Sequence, residues 1–259
     1  MNNQGPGGVL MGMRNLLLAV ILLAVPRDGS VTVSADASQP HLAADKDGAF
    51  YCVYLHGGNV ELRTSTDDGK SWSDAVIAID AKGKARGGMQ RGPRVGVDDK
   101  KNVYVTVPHC FDEAEQGKKY PTSELWIAIS EDGGKSFGKP LQVNEAAKKA
   151  PEALHWMAVS ANGEAHVAWL DMRDQQKGQD LYYAKVAGGK VGKNVKIGGA
   201  VCECCAPGIA VDGKGNPLVI WREGGTKTSR QIFMTRSSDG GKSWKAPAQV
   251  NAGETKVPN

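Results

Sequence analysis

The octapeptide Ser65-Thr-Asp-Asp-Gly-Lys-Ser-Trp72 begins a pattern, S-x-D-x-G-x-S-[W/F], that occurs three times in the chain. The other copies are Ser130-Glu-Asp-Gly-Gly-Lys-Ser-Phe137 and Ser237-Ser-Asp-Gly-Gly-Lys-Ser-Trp244. An Asp side chain accepts hydrogen bonds from turn N–H groups, and Gly adopts the positive φ that a tight turn needs. We therefore predict a structural turn carried by Ser65, Asp67, Gly69, Trp72, Ser130, Asp132, Gly134, Phe137, Ser237, Asp239, Gly241 and Trp244.

A longer pattern precedes each octapeptide: an apolar strand, an Asp or Ser, a turn with Gly or Asn, and a second apolar strand. Its copies run over residues 42–54, 95–107, 157–169 and 209–221. The third copy is not followed by a full octapeptide, so we expect a degenerate one near Val186-Ala-Gly-Gly-Lys190. A third strand enters each octapeptide position, and a fourth follows it.

Repeated short strands at this spacing are typical of propeller blades. We predict an all-β fold, a β-propeller of four-stranded antiparallel blades, with four units at about 38–80, 91–143, 153–198 and 205–250. An α/β solenoid is the alternative, but the sequence lacks the helical patterns that it requires. The domain organisation is then a leader over residues 1–30 and one propeller domain over residues 31–259.

The composition suits an ordinary globular protein. The chain has 259 residues, of which 41% are hydrophobic, and its 33 Gly suit many tight turns. The 32 basic and 28 acidic residues give a net charge of +4 without a dense basic block, which argues against nucleic acid as a partner. A mild positive charge is compatible with a small anionic ligand. The sequence indicates no cofactor and no oligomeric state.

The amino-terminal segment has the pattern of a secretion signal. Arg14 precedes the apolar run Leu16–Pro26, which is too short to span a bilayer whose core needs about 20 helical residues. We expect cleavage between Val25 and Ser34, leaving a secreted or periplasmic protein with no membrane span. A buried strand or a short anchor helix is the alternative.

The octapeptides resemble the Asp-boxes of the sialidase-like, or BNR-repeat, β-propellers. The segment Val201-Cys-Glu-Cys-Cys-Ala-Pro207, followed by Arg222 and then an octapeptide, resembles a secreted bacterial exo-alpha-sialidase-like branch of that family. The resemblance covers about residues 31–250 and implies six or more blades. The four recognisable units therefore predict a truncated six-bladed propeller or one that another chain completes, with a closed four-bladed ring as the alternative.

The same resemblance implies a glycoside hydrolase that hydrolyses or binds terminal sialic acid or a related anionic glycan. In that family an Asp serves as acid/base, a Tyr helped by a Glu as nucleophile, and three Arg clamp the substrate carboxylate. Here Asp171 or Asp174 is the candidate acid/base and Glu223 its carboxylate partner. The candidate substrate-binding residues are Arg94, Arg173, Arg222, His56 and His109. Tyr182 and Tyr183 are interpreted as packing residues.

Positions in the repeat support this selection. His56, His109, Asp171 and Glu223 each lie two residues past the predicted end of a second strand. In such blades the octapeptide lies on one face of the disc, and these four residues lie on the other. The resemblance places the substrate site on that other face. The alternative is that surface loops simply carry polar residues.

The cysteines suggest further possibilities. Cys52 lies in a second strand and is interpreted as a buried thiol, whereas Cys202, Cys204 and Cys205 form an unusual C-x-C-C cluster. Cys110 is a candidate partner for a disulfide with this cluster, because disulfides persist in exported proteins. A metal or thiol site at the cluster is an alternative. A non-catalytic propeller that binds carbohydrate or protein is the other alternative function.

Overall fold

The structure is a computed structural model that describes residues 1, 30–88, 90–109, 123–145, 154–174, 178–224 and 231–251. Its strands form four sheets in chain order. The first sheet contains β1 (Ser38–Ala44), β2 (Phe50–His56), β3 (Asn59–Ser65) and β4 (Val76–Ile79). The second contains β5 (Arg94–Val97), β6 (Val103–His109), β7 (Glu124–Ser130) and β8 (Leu141–Gln142).

The other two sheets follow the same order. The third contains β9 (His155–Val159), β10 (Ala165–Asp171), β11 (Asp180–Ala187), β12 (Lys190–Val191) and β13 (Val195–Gly198). The fourth contains β14 (Gly208–Val211), β15 (Pro217–Arg222), β16 (Ile232–Arg236) and β17 (Ala248–Gln249). All strand pairs are antiparallel.

This architecture confirms the predicted all-β propeller of antiparallel blades, and the described residues contain no helix. The third sheet differs in one respect from the other three. A tight turn joins β11 to the short strand β12, and β13 then pairs with the first half of β11. This turn, at Gly188 and Gly189, occupies the place of the expected degenerate octapeptide.

The second strands of the two middle sheets, β6 and β10, are buried from end to end because each of these sheets lies between two neighbours. Every residue of β6 and of β10 is buried, which explains their near-continuous apolar sequences. Three apolar clusters hold the sheets together in pairs. They are centred on Val53, Leu62 and Val105, on Ile127, Val167 and Trp169, and on Leu181, Val219 and Trp221. Each fully buried aliphatic side chain stabilises the fold by roughly 1.5–3 kcal/mol relative to its exposed state.

Inner strands pack in chain order, β1 on β5, β5 on β9 and β9 on β14. Over the described residues the four sheets do not close into a ring. Leu42 in β1 is 54% exposed and Ile220 in β15 is 42% exposed, so the first and the fourth sheet each leave an apolar side chain uncovered. The truncated six-bladed ring stays a prediction.

The octapeptides form one turn geometry three times. In the first copy Ser65 Oγ donates to Asp67 Oδ1 (2.9 Å) and accepts from Gly69 N (3.0 Å), while Asp67 accepts from Ser71 N (2.9 Å) and Ser71 Oγ (2.6 Å). The second and third copies repeat these bonds. Hydrogen bonds from the Ser71 hydroxyl and amide, and from Ser65, lower the pKa of Asp67 to about 2.

Two of these turns press against the preceding sheet. A Cβ at Gly134 would come 2.5 Å from Leu62 Cδ2, and a Cβ at Gly241 would come 2.1 Å from the hydroxyl of Tyr183. The aromatic residue that ends the turn packs there too, since Trp244 meets Tyr183 edge-on at 4.7 Å. In the second and fourth sheets the octapeptide thus packs against the preceding sheet, as well as forming the turn between the third and fourth strands.

The shorter turns between first and second strands also repeat. Asp45 Oδ1 accepts hydrogen bonds from the amides two and four residues later, both at 2.9 Å. Asp98 and Asp212 make the equivalent bonds, and the Ser160 hydroxyl takes the place of the carboxylate in the third sheet. These bonds explain why the repeat requires Asp or Ser at this position.

The predicted leader and its cleavage site lie almost wholly outside the described residues. Within the part of the chain that is described, we find no helix of the length and apolar character needed to cross a bilayer.

Candidate functional site

The four polar residues predicted at equivalent repeat positions lie at the ends of second strands. His56, His109 and Asp171 are the last residues of β2, β6 and β10, and Glu223 directly follows β15. They were expected two residues past the strand ends, and this expectation was wrong because the strands are longer. Each final residue still pairs across to the third strand, as in His56 with Asn59.

Each of these four residues has a hydrogen-bond partner close by. The His56 imidazole bonds Glu61 (2.9 Å), and the Nε2 of the fully buried His109 bonds the carbonyl of Ala81 (2.8 Å). Burial lowers the pKa of His109 to about 4, so its ring is neutral at pH 7. Glu223 is half-buried, and its amide donates to the carbonyl of Gln231 (2.8 Å). These contacts do not join the four residues into one site.

Asp171 and Arg173 are brought together at the end of β10. The Asp171 carboxylate is fully buried and accepts from Trp169 Nε1 (2.9 Å), from the Arg173 amide (2.8 Å) and from Arg173 Nη2 (2.7 Å). The same Nη2 donates to Asn194 Oδ1 (3.0 Å). Arg173 is therefore already paired with a carboxylate, and Asp171 is held in place rather than presented to solvent.

Beside this pair, Tyr182 and Asp174 form a second contact. The Arg173 guanidinium lies 4.3 Å from the centre of the Tyr182 ring, and the Tyr182 hydroxyl donates to the Asp174 carboxylate. Burial, and then this carboxylate, raise the pKa of Tyr182. Asp174 itself is exposed, in contrast to Asp171.

Residues at another repeat position do come close together in space. The residue four places before each turn Asp or Ser lies in the inner strand of its sheet. These residues are His41, Arg94, Trp156 and Gly208. We call the first three the axial cluster, because the inner strands that carry them pack side by side.

The axial cluster is built around the Trp156 indole. The Arg94 guanidinium lies 4.4 Å from the centre of the Trp156 ring, and the His41 ring meets the indole edge-on at 5.5 Å. His41 Nδ1 accepts from the amide of Val95 (3.2 Å), which fixes its tautomer. Burial, with a smaller contribution from the Arg94 charge, lowers the pKa of His41 to about 4. Arg94 is therefore the cluster's charged member at neutral pH.

Arg94 has no carboxylate partner among the described residues. Its Nη1 donates to the carbonyl of Pro93 and its Nη2 to that of Gln90, both at 2.9 Å, and its Nε has no hydrogen-bond partner in the described part of the chain. The side chain is only 6% exposed, and burial lowers its pKa. A buried cation without a counter-ion is costly, so such a group marks a place where an anion is favoured.

An open cleft adjoins this cluster. It has a volume of about 420 Å³. Its walls include Gln90, Trp156, Cys205, Gly208, Trp221 and Arg222. At Gly208, the fourth equivalent position, an added Cβ would come 3.1 Å from Ile220 Cγ1, so the Ile220 side chain occupies this part of the wall. A second depression, of about 460 Å³, lies beside the octapeptide turn at Asp132, whose carboxylate is already used by the turn.

Of the three cysteines of the C-x-C-C segment, Cys205 lines the same cleft, and the other two sulfurs lie close to it. Cys202 Sγ lies 3.2 Å from Cys204 Sγ, Cys204 Sγ lies 3.8 Å from Cys205 Sγ, and Arg222 Nη1 lies 3.7 Å from Cys205 Sγ. The buried Cys52 lies in β2. Cys110, the predicted disulfide partner, lies outside the described residues.

Two of the predicted substrate-binding residues, Arg94 and Arg222, thus adjoin or line one cleft, whereas Arg173 is paired elsewhere. Sequence reasoning missed His41, Trp156 and Gln90. Alignment of the four repeats contained the signal for the first two, since both occupy the position of Arg94. Nothing in the sequence indicates Gln90, which lies in the loop before β5.

No family model and no curated protein matches the chain. Solved structures do match its fold. The alpha-L-arabinanase of Penicillium chrysogenum, complexed with arabinobiose, is 14% identical with a TM-score of 0.54, and the match covers 82% of this chain and 65% of that one. The intramolecular trans-sialidase of Ruminococcus gnavus, in complex with oseltamivir carboxylate, is 13% identical with a TM-score of 0.50, over 83% of this chain and 70% of that one.

A PL25 ulvan lyase bound to -[GlcA(1-4)Rha3S]- is 12% identical with a TM-score of 0.53, and the match covers 83% of this chain and 56% of that one. The chain therefore spans less than two thirds of the length of the arabinanase and of the lyase. At these identities the likeness shows the fold alone.

Proposed function

We propose that the protein binds an anionic glycan in the cleft beside the axial cluster. The observation that carries this proposal is the buried Arg94 guanidinium, which lies against Trp156 and has no carboxylate partner among the described residues. A carboxylate or sulfate on a sugar would supply the missing negative charge.

The cleft offers the groups that such a ligand needs. A volume of about 420 Å³ lies within the range of roughly 300–1,000 Å³ that small-ligand pockets occupy, which suits a sugar unit. The Trp156 indole supplies an apolar face for the sugar ring. The Arg222 guanidinium supplies a second planar group whose N–H donors match the two oxygens of a carboxylate.

Proteins that share this fold support the choice of ligand. Among them, an arabinanase, a trans-sialidase and a lyase bound to a glucuronate-containing saccharide are named for glycans or crystallised with them. Terminal sialic acid is the ligand that the octapeptides and the C-x-C-C segment favour, through their resemblance to sialidase-like propellers. The apolar leader supports a secreted or periplasmic location, where such glycans are met.

Hydrolysis of that sialic acid is the sharper form of the proposal. Asp174 is the better candidate for the acid/base, because it is exposed, while the buried Asp171 suits the positioning of Arg173. Glu223 remains the proposed carboxylate partner.

Titration of the full chain with sialyllactose and with lactose tests the proposal. We expect saturable heat of binding with sialyllactose and at least about tenfold weaker binding of lactose, since one charge-assisted hydrogen bond contributes about 1.5–3 kcal/mol. Free sialic acid released in the same samples would indicate hydrolysis. Equal binding of the two sugars, or no binding by folded protein, would contradict the proposal.

A further inference from the structure

The three cysteines between β13 and β14 bring three sulfur atoms together at the protein surface. All three Sγ atoms of Cys202, Cys204 and Cys205 lie within 4.8 Å of one another. Two of the three separations are 3.2 and 3.8 Å. Cys202 is buried, Cys205 is half-buried and Cys204 is exposed, so a solute can reach the set through Cys204.

Hydrogen bonds hold the backbone of this segment in place. Cys202 N donates to the carbonyl of Arg222 (2.8 Å), and Cys205 N donates to the carbonyl of Cys202 (3.2 Å). Gln90 clamps the other side, because its Nε2 donates to the carbonyl of Cys204 (3.2 Å) and its Oε1 accepts from Ala206 N (2.8 Å). The sulfurs are thus positioned before any ligand arrives, which lowers the cost of binding one.

A positive charge lies beside the three sulfurs. Arg222 Nη1 contacts Cys205 Sγ at 3.7 Å. A positive charge at this place would offset part of the negative charge that three thiolates concentrate around one ion.

We propose that Cys202, Cys204 and Cys205 together bind one thiophilic d10 metal ion, with Cu(I) the ion best suited to three sulfur ligands. Soft thiolates select Cu(I) and Zn²⁺ over harder cations. A metal–sulfur distance of about 2.3 Å in a trigonal plane requires sulfurs about 4 Å apart, so small side-chain rotations bring the present separations to that value. Binding releases the protons of the thiols that become ligands.

The main competing use of these sulfurs is a disulfide. In an oxidising compartment two of the three would be joined, and one would be left as a thiol. A metal site requires all three to stay reduced. The proposal is independent of glycan binding, and its test needs no sugar.

The test is competition for Cu(I), under anaerobic and reducing conditions, between the full-length protein and bicinchoninate. We expect one Cu(I) per chain in the wild type. Cys204→Ser and Cys205→Ser should each lower the affinity at least about 100-fold, more than the 10–100-fold that outer-sphere changes cost. The matched control is Cys52→Ser, which removes a buried thiol in β2 and should leave Cu(I) binding unchanged.

A parallel titration with Zn²⁺ and a zinc indicator distinguishes the two ions, and binding of either ion that depends on Cys204 and Cys205 supports the proposal. Circular dichroism and the thermal midpoint of each variant show that loss of metal is not loss of fold. The proposal is overturned if the wild type retains neither ion, or if the two Ser variants bind as the wild type does. It is also overturned if mass spectrometry of protein isolated without reductant shows a disulfide within the segment.

Discussion

Replacing Arg94 with Met is expected to weaken the binding of a sialylated sugar about 10- to 100-fold, because a hydrogen bond to a charged group contributes about 1.5–3 kcal/mol. The same change is expected to leave the thermal midpoint unchanged or to raise it. The guanidinium is 6% exposed and has no described carboxylate partner, so its removal relieves the cost of a buried charge. Met is unbranched and fills a similar space beside Trp156.

The matched control for this variant is Arg63→Met. The Arg63 guanidinium donates to the Tyr54 hydroxyl (3.0 Å) and to the carbonyl of Ser73 (2.8 Å), within the first sheet. Calorimetric titration with sialyllactose should therefore give wild-type affinity for this variant, and scanning calorimetry should show a small loss of stability. Equal affinities for the Arg94 variant and the wild type would remove Arg94 from the site.

Gly241→Ala is expected to lower the free energy of unfolding by roughly 2–4 kcal/mol, combining about 1–3 kcal/mol of overpacking with about 1 kcal/mol of backbone strain. Gly241 has φ +89°, and its added Cβ would lie 2.1 Å from the Tyr183 hydroxyl oxygen and 2.7 Å from Cζ. The Tyr183 ring has little freedom to move, because its hydroxyl bonds His166 Nδ1 (2.7 Å) and Trp244 packs against it.

Gly69→Ala separates the cost of overpacking from the cost of backbone strain at positive φ. Gly69 holds the same place in the first octapeptide with φ +80°, but the nearest atom to its added Cβ is 4.0 Å away, on Trp72. In this variant backbone strain alone should lower the free energy of unfolding, by roughly 1 kcal/mol. Urea unfolding followed by circular dichroism measures both. Equal losses in the two variants would show that the third turn is not fastened to the preceding sheet.

The fold could be predicted because its determinants are local. In each octapeptide the Asp carboxylate and the first Ser hydroxyl are satisfied within eight residues, so the motif specifies its turn without help from the rest of the chain. Closure of the ring is a different matter. It depends on contacts between distant sheets, and the exposure of Leu42 and Ile220 is invisible in a repeat pattern.

The candidate site was only half predictable for the same reason. Arg94 and Arg222 were selected by charge and resemblance, but Trp156 joins Arg94 only because two inner strands pack side by side. Asp171 shows the reverse problem. Its place in the repeat suggested a carboxylate available to substrate. In the structure this carboxylate is buried and accepts hydrogen bonds from Trp169 and Arg173, two residues to either side. Burial, not position, separates it from the exposed Asp174.

Whether a buried cation beside Trp156 recognises a negatively charged sugar is tested by comparing an acidic sugar with its uncharged methyl ester. The wild-type protein would be titrated calorimetrically with N-acetylneuraminic acid and with its methyl ester at the same pH and salt concentration. We expect the acid to bind at least about tenfold more tightly than the ester, the equivalent of about 1.4 kcal/mol. Equal affinities for the acid and the ester would contradict it.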